Sequence, residues 1–402
     1  MWSMTKMQRL LASSFIYVVG RALALPYLAI YLTQKYALSQ QQLGWVLGSS
    51  LMVATVFGLY AGYLSDRLNK SLLLRAACYL MALSSVLLTL GLHYLFSLLC
   101  LILIEIAIVT RSIALKSALA ELAEVQQRAQ VFSINYTLIN LAFSIGPLLG
   151  AMVFEYHDLA PFWLSAMVGI LAALILPPAA THVQQVSQAK PVSLSASWQV
   201  LRADKRLLWY SLGSICSAMV FGRFISGYLA QYLLSKGGVS YAATIIPAIF
   251  ISNALVVVLT QYLIGKHLRR TRLLIWVSAG LSFYILGLLG FMQAESRSAW
   301  IIATLIFTLG EVIVIPCEYL FIDGIAPENL RGSYYGVQGL ASLGLAINPV
   351  LCGYLLAHFP AKFMFYCLMC FAMLALFCFF CGSRLHRIQL RQSGQLALTQ
   401  AM

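Results

Sequence analysis

The chain has 402 residues, of which 61% are hydrophobic and only 9% are charged, and its mean hydropathy is +0.86. This composition excludes a soluble globular domain, since such domains average about 25% charged residues. The formal net charge of +14 must therefore be explained within a membrane protein.

Apolar windows of about 20 residues, each long enough to cross roughly 30 Å of hydrocarbon as a helix, recur along the whole sequence. They predict an all-α integral membrane protein and leave no segment for a soluble domain. The twelve predicted transmembrane helices are 10–34, 42–65, 71–92, 96–118, 130–154, 160–181, 207–234, 240–265, 272–293, 299–322, 332–357 and 361–383.

The basic residues are distributed unevenly between the predicted loops. With a cytoplasmic N-terminus, 18 of the 26 Lys and Arg fall in cytoplasmic segments. Four fall outside, and four lie within helices, namely Arg21, Arg111, Lys116 and Arg223. The positive-inside rule therefore predicts a multi-pass topology with both termini cytoplasmic. The positive net charge is explained by the Lys and Arg of the cytoplasmic segments and does not indicate nucleic-acid binding.

The two halves of the sequence match each other. The segment 27–32, YLAIYL, is similar to 228–233, YLAQYL, and 146–150, GPLLG, aligns with 348–352, NPVLC. Both offsets are close to half the chain length, which predicts two pseudo-symmetric six-helix bundles. We expect an N-terminal bundle over 1–181, a polar cytoplasmic linker over 182–206, and a C-terminal bundle with a short cytoplasmic tail over 207–402. Such duplication is typical of secondary transporters, whose binding site lies near mid-membrane between the halves.

One loop motif carries a family resemblance. The stretch Gly62-Tyr-Leu-Ser-Asp66-Arg67-Leu-Asn69-Lys70 lies between the second and third predicted helices. It resembles the G-x-L-a-D-R-x-G-R/K signature of the major facilitator superfamily, with Asn69 in place of the second glycine. The counterpart in the second half, 261–270, keeps the basic residues but lacks the aspartate.

The resemblance implies the major facilitator fold and a conformational role for this motif. Asp66 would hold the start of the eleventh predicted helix, near Gly332-Ser333, through the positive end of its dipole, while Arg67 and Lys70 pair locally. The alternative is a solvated cluster that only sets topology.

A second motif points to one branch of the superfamily. Gly146, Pro147 and Gly150 in the fifth predicted helix are similar to the core G-P-x-x-G of the exporter signature. Together with stretches in the second half, such as Gly310-Glu311 and Asn348-Pro349, they resemble the drug and metabolite:proton antiporters, in particular the YdeE-like exporters of drugs and dipeptides. The resemblance implies a monomeric transporter of the bacterial inner membrane that binds protons and a small-molecule substrate and needs no cofactor.

Charged residues at membrane depth are costly and normally face a cavity or a partner. Arg21 shares a helix face with Tyr17 and Ser14, so this polar stripe is expected to face the transport cavity. Arg21 would contact the substrate or the proton-coupling group. Alternatively it forms a structural ion pair, with Glu311 as the preferred partner.

The acidic candidates lie in the fourth and tenth predicted helices. Glu311 and Glu318 are seven residues apart, so they share one face about 10 Å apart. Each is a candidate proton carrier, and the alternative for Glu311 is a permanent ion pair with Arg21 or Arg223. Glu105 is a candidate second protonation site.

The remaining polar candidates have plainer alternatives. Arg111 points about 120° away from the helix face of Glu105, and Lys116 is expected to extend towards the membrane interface. Asn140, with Tyr136 one turn before it, would donate hydrogen bonds to substrate or only pack between helices.

These features predict a proton-coupled exporter of small amphipathic molecules such as drugs, dipeptides or amino-acid metabolites. The first alternative is a proton symporter that imports a sugar or small acid. A polytopic membrane enzyme is disfavoured because the six histidines fall in loops or at helix ends. An ATP-driven pump is disfavoured as well, because the sequence contains no phosphate-binding loop. The stripe 367–381, which holds four cysteines, spans too much of one helix to bind one ion, so no metal site is expected.

Overall fold

A computed structural model describes residues 5–38, 40–178, 194–222 and 229–392. The described residues form helices and contain no strand. In chain order the helices are α1 Lys6–Tyr36, α2 Gln40–Arg67, α3 Lys70–Leu88, α4 Tyr94–Leu122, α5 Arg128–Phe154, α6 Ala160–Ile175, α7 Leu194–Ala203, α8 Lys205–Phe221, α9 Ala230–His267, α10 Leu273–Gln293, α11 Arg297–Ile325, α12 Arg331–Gln338, α13 Ser342–His358 and α14 Lys362–Gln392.

The helices agree with most of the predicted spans. Ten helical segments among the described residues are long and apolar enough to cross a membrane, and α6 is a shorter apolar helix. The seventh predicted span, 207–234, covers α8 and the start of α9, with 223–228 outside the described ranges. Helix α9 contains Gly238 at φ 72°, a left-handed conformation that favours glycine. This kink lies in the short loop expected between the seventh and eighth predicted helices.

The eleventh predicted helix, 332–357, lies within one apolar helical segment, Glu328–His358. A short 3₁₀ stretch, Gly339–Ala341, separates α12 from α13 within this segment. The apolar window gave no sign of the break. Helix α12 has only eight residues, most of them polar or glycine, and all of them are buried, so it is held by tertiary contacts rather than by a lipid-facing apolar surface.

The chain forms two compact units. The first comprises Met1–Ser197 together with Pro327–Gly339, and the second comprises Trp198–Ala326 together with Leu340–Met402. Helix α12, from the second half of the sequence, thus belongs to the first unit. The expected division into 1–181, 182–206 and 207–402 stays a prediction, because most of the linker, 179–193, lies outside the described residues.

In the first unit, α1 packs against α5 and α6, α4 packs against α2 and α3, and α12 packs against α2. The approach of α1 to α5 is very close. A Cβ added at Gly146 would lie 2.5 Å from the Cβ of Ala22, and one added at Gly150 would overlap the Leu23 carbonyl and lie 2.7 Å from the Tyr27 ring. The two glycines of the predicted exporter motif therefore allow the helix that carries Arg21 to pack tightly.

In the second unit, α8 packs against α13 and α14, and α11 packs against α9 and α10. The α8–α13 contact occupies the position in this half that the α1–α5 contact has in the other. Asn348, which aligns with Gly146, donates a hydrogen bond from Nδ2 to the Met219 carbonyl at 2.5 Å. An amide here satisfies a carbonyl of the neighbouring helix, where the first half uses a glycine for close packing.

We expect Gly150→Leu to lower the melting temperature of the purified protein by several degrees. The new side chain would meet the Leu23 carbonyl and the Tyr27 ring, and overpacking of this kind destabilises by about 1–3 kcal/mol. Gly48→Leu is the matched control, because an added Cβ at Gly48 in α2 meets nothing within 4 Å. Equal melting temperatures for the two variants would contradict the role of Gly150 in packing.

Candidate functional site

Two of the predicted charged residues line one cavity in the first unit. Arg21 from α1 and Glu105 from α4 contribute to a cavity of about 50 Å³ whose other walls are mainly apolar side chains of α1 to α4 and α6. A site of this size can hold a few water molecules. The cavity therefore combines a cation, a carboxylate and room for water inside a mainly apolar helix bundle.

Neither charge is neutralised by a direct contact. Within the described residues of this unit, Arg21 and Glu105 form no ion pair with each other or with another side chain. The Arg21 guanidinium lies 5.7 Å from the centre of the Phe143 ring, a cation–π distance that stabilises the charge only modestly. The expected pairing of Arg21 with Glu311, which belongs to the second unit, stays a prediction.

The polar stripe of α1 does not face one cavity, contrary to expectation. Tyr17 is buried, and its ring lies 4.4 Å from the Arg111 guanidinium carbon. Ser14 donates a hydrogen bond to Asn135 Oδ1 of α5 at 2.8 Å. Of the stripe, only Arg21 lines the cavity. The reason is that residues four apart share a helix face, but each meets a different neighbouring helix as α1 crosses the bundle.

Arg111 is buried within this bundle and contacts other helices. It is only 2% exposed, and its Nη2 donates to Ser13 Oγ at 2.8 Å, while Ser13 donates to the Ala172 carbonyl at 2.6 Å. This chain of contacts joins α4, α1 and α6. Its ring contact and hydrogen bond compensate part of the desolvation of the charge. The predicted direction, away from the face of Glu105, agrees with this placement.

Two other candidates are engaged differently from the expectation. Lys116 does not extend freely to an interface, because its Nζ donates to Gln338 Oε1 of α12 at 3.2 Å. Asn140 donates to the carbonyl of Tyr136 in its own helix at 3.0 Å. The hydrogen-bonding capacity of Asn140 is thus partly used within α5.

The second unit contains a separate carboxylate site. Asn253 of α9 donates from Nδ2 to Glu311 Oε2 at 3.0 Å and also to Thr308 Oγ1 at 3.0 Å. Glu311 is half-buried, whereas Glu318, farther along α11, is only 4% exposed. Arg223, the cation expected near them, lies outside the described residues.

Sequence reasoning missed Asn253. A polar amide within an apolar window was the available signal, but its partner is 58 positions away in sequence. Because the contact joins two helices, no periodicity along either helix indicates it. The amide donates to one oxygen of the Glu311 carboxylate and so helps to orient it.

The loop motif makes the contact expected for its aspartate. Asp66 Oδ1 accepts a hydrogen bond from the Gly332 backbone N–H at 2.5 Å. Asp66 Oδ2 accepts from the Ser333 backbone N–H at 2.7 Å and from Ser333 Oγ at 2.6 Å. Gly332 and Ser333 are in the first turn of α12, where backbone donors are free and the helix dipole favours an anion.

The neighbours of Asp66 complete the motif. Gly62 is needed because α2 and α12 touch, and a Cβ on it would lie 2.5 Å from the Gly332 carbonyl oxygen. Lys70 pairs with Glu121 of α4 at 2.7 Å. The Arg67 guanidinium carbon lies 4.7 Å from the Tyr63 ring centre. The motif therefore anchors α12 on the end of α2 and joins the start of α3 to the end of α4.

Comparison with known proteins supplies the family. The model of the Major Facilitator Superfamily matches residues 10–342, which is most of the chain. This protein belongs to the major facilitator superfamily. Its members are transporters and not enzymes, so the chain is a multi-pass membrane transporter with the twelve-helix major facilitator fold.

Relatives within the superfamily include uncharacterised and drug-related members. The chain is 31% identical to the uncharacterised MFS-type transporter YdeE of Escherichia coli, over 89% of this chain and 90% of that protein. It is 21% identical to the quinolone resistance protein NorA of Staphylococcus aureus, over 84% and 87% of the two chains. It is 24% identical to a Na⁺, Li⁺, K⁺/H⁺ antiporter of Planococcus maritimus, over 81% and 83%.

Solved structures show the same fold at low identity. The crystal structure of the major facilitator transporter FucP in the outward conformation superimposes with a TM-score of 0.75 at 17% identity, covering 94% of this chain and 98% of FucP. The human organic anion transporter MFSD10 gives a TM-score of 0.72 at 16% identity, covering 93% and 98%.

Proposed function

We propose that this transporter is a proton-coupled exporter of small amphipathic molecules, such as drugs, dipeptides or amino-acid metabolites. The observation that carries the proposal is the pair of charges Arg21 and Glu105, which form no ion pair among the described residues of their unit and line a cavity with room for a few water molecules. A half-buried carboxylate such as Glu105, within a membrane-spanning bundle and without a permanent ion pair, can gain and lose a proton during a transport cycle.

The relatives support export and antiport. NorA is named for quinolone resistance, and the Planococcus maritimus relative is named as a cation/proton antiporter. The resemblance of the G-P-x-x-G stretch of α5 to the exporter signature agrees with this direction, and its glycines Gly146 and Gly150 allow close packing against the helix that carries Arg21. We assign the protein to the bacterial inner membrane as a monomer with both termini in the cytoplasm.

The chemistry of the two carboxylates suggests the order of events. Glu105 and Glu311 are the candidate proton carriers, one in each unit. When Glu105 or Glu311 is ionised, its carboxylate attracts a cationic or amine group of the substrate. Protonation of the carboxylate removes that attraction and promotes release of the substrate. Arg21 supplies the complementary charge for a carboxylate or another acceptor group of the substrate. Substrates that carry both groups fit this pair.

The test uses inverted membrane vesicles that hold a proton gradient and a pH-sensitive dye. Dipeptides, amino acids, sugars and cationic drugs are added one at a time. We expect at least one amphipathic compound to cause proton release in the wild type and a signal at least tenfold smaller in Glu105→Gln or Glu311→Gln. The amide keeps the size of the side chain but cannot exchange a proton at this pH.

Two exposed carboxylates provide matched controls. Glu124→Gln, at the end of α4, and Glu295→Gln, before α11, remove the same charge outside the proposed sites and should leave proton release unchanged. Wild-type release in both Glu105→Gln and Glu311→Gln would contradict the proton assignments. Substrate-driven proton uptake in the symport direction, seen in right-side-out vesicles, would replace export by the import alternative.

A further inference from the structure

A second cavity, unrelated to the charges already described, lies within the second unit. Its volume is about 580 Å³, and it is formed by the start of α8, the 3₁₀ turn before α10, and the ends of α11 and α14. Its walls include the stacked rings of Tyr210 and Phe321, whose centres are 4.7 Å apart. Phe379 stacks on Phe321 at 5.3 Å. The cavity therefore has a rigid, preformed wall.

The polar side of this cavity is strongly basic. Arg270, Arg387 and Arg391 line it together with His386, and no carboxylate is among the described lining residues. Arg387 and Arg391 are four positions apart, so they project from one face of α14. The hydroxyls of Thr271 and Ser383 add further hydrogen-bonding groups.

The nearby carboxylates are already occupied by other arginines. Asp323, whose side chain is fully buried, pairs with Arg270, and Asp204 pairs with Arg206 at 2.7 Å. Within the described part of the chain, Arg387 and Arg391 form no ion pair. Two guanidinium groups thus remain available to an anion that enters the cavity.

The same cavity has an apolar side. Leu273, Leu274 and Leu320 line it next to Phe321. A small inorganic anion would leave this surface uncovered, whereas a ligand with a charged headgroup and hydrocarbon chains would cover both sides. Phospholipids have this combination.

The position of the cavity along the membrane normal fits a headgroup. Helix α14 has 31 residues and is therefore about 46 Å long at 1.5 Å per residue, against roughly 30 Å of hydrocarbon. Arg387 and Arg391 lie in its last two turns, at the level of the membrane surface. The positive-inside rule places this end in the cytoplasm, where anionic lipid headgroups attract basic residues.

We propose that the basic cavity formed by α8, α10, α11 and α14 binds the phosphate headgroup of an anionic phospholipid from the cytoplasmic leaflet. Arg387 and Arg391 contact the phosphate, and the leucine side accepts the start of the acyl chains. The proposal does not depend on the transported substrate or on the direction of transport.

The test is native mass spectrometry of the full-length protein in detergent, titrated with phosphatidylglycerol or with phosphatidylcholine of the same acyl chains. We expect phosphatidylglycerol to bind more tightly than phosphatidylcholine to the wild type. In Arg387→Gln/Arg391→Gln the affinity for phosphatidylglycerol should fall about 30-fold, because each basic residue near an anionic headgroup contributes about fivefold.

Arg384→Gln is the matched control, because Arg384 is an exposed residue of the same helix that does not line the cavity. It should bind phosphatidylglycerol like the wild type. Equal affinity in the double variant and the control would overturn the site.

Inorganic phosphate is the second arm, and displacement of phosphatidylglycerol by phosphate at equal concentration would overturn the lipid assignment in favour of a soluble phosphate compound. A double variant that keeps the control's melting temperature and phosphatidylcholine binding while losing phosphatidylglycerol supports the proposal, and parallel loss of both lipids overturns it.

Discussion

Arg21→Gln is expected to reduce substrate-driven proton release about 100-fold while leaving the protein folded and in the membrane. Arg21 lines a small apolar cavity with Glu105 and has no ion pair among the described residues of its unit. Without this charge, the cavity would lose the guanidinium to which we propose that an acceptor group of the substrate binds. A hydrogen bond to a charged group is worth about 1.5–3 kcal/mol, and the upper end of this range corresponds to the expected factor of about 100.

Two further variants distinguish charge from shape. Arg21→Lys keeps the charge but loses the planar fork, so partial activity would show that charge is the main contribution, and inactivity would show that bidentate binding is required. Arg9→Gln removes a cation near the start of the same helix and should transport normally. The measurement is proton release in inverted vesicles, normalised to the amount of protein in the membrane. Normal release in Arg21→Gln would exclude a role in coupling or substrate binding.

The helices could largely be predicted from sequence, because a membrane requires long apolar windows whose backbone groups are satisfied within each helix. The exception is α12. The helix is short and mostly polar, and its residues are buried against α2 and α4, so the apolar window that begins at 332 merged it with α13. A polar helix that is buried by other helices has no apolar window of its own, so hydropathy does not separate it from its neighbour.

The candidate site could be predicted only in part. Charged residues at membrane depth are rare, so Arg21, Glu105 and Glu311 could be identified as candidates from their positions within apolar windows of the sequence. Their partners could not, because contacts such as Asn253 with Glu311 join helices that are distant in sequence. The periodicity of α1 correctly grouped Tyr17 with Arg21 on one face, but only tertiary packing decides that Tyr17 meets Arg111 instead of the cavity.

The contact of Asp66 with α12 leads to the second large expected effect. We expect Asp66→Asn to reduce the transport rate about 100-fold. The carboxylate accepts three hydrogen bonds, from the Gly332 N–H, the Ser333 N–H and Ser333 Oγ. An asparagine amide has one acceptor oxygen, and its NH₂ group would face a donor of α12. Hydrogen bonds to a charged group are worth about 1.5–3 kcal/mol each, so the loss is large.

A graded series tests whether this contact itself limits transport. Ser333→Ala removes only the hydroxyl bond and keeps both backbone donors, so we expect a loss of a few-fold, intermediate between the wild type and Asp66→Asn. Asp158→Asn, in the exposed turn before α6, removes a carboxylate without an equivalent contact and should transport normally. Transport rates are measured in proteoliposomes that contain equal amounts of folded protein.

The order of transport rates in this series distinguishes two roles of Asp66. If the motif only set the membrane topology, transport would depend on the charge of the side chains and not on their hydrogen bonds. If Asp66 served only to set topology, Ser333→Ala would be neutral, since it changes no charge and lies in a different helix. A loss in Ser333→Ala that does not add to the loss in Asp66→Asn when both are combined would identify one shared interaction. Because α12 is joined directly to α13 of the second unit, this interaction fixes one end of that connection on the first unit. We propose that release of α12 from Asp66 is a step of the transport cycle.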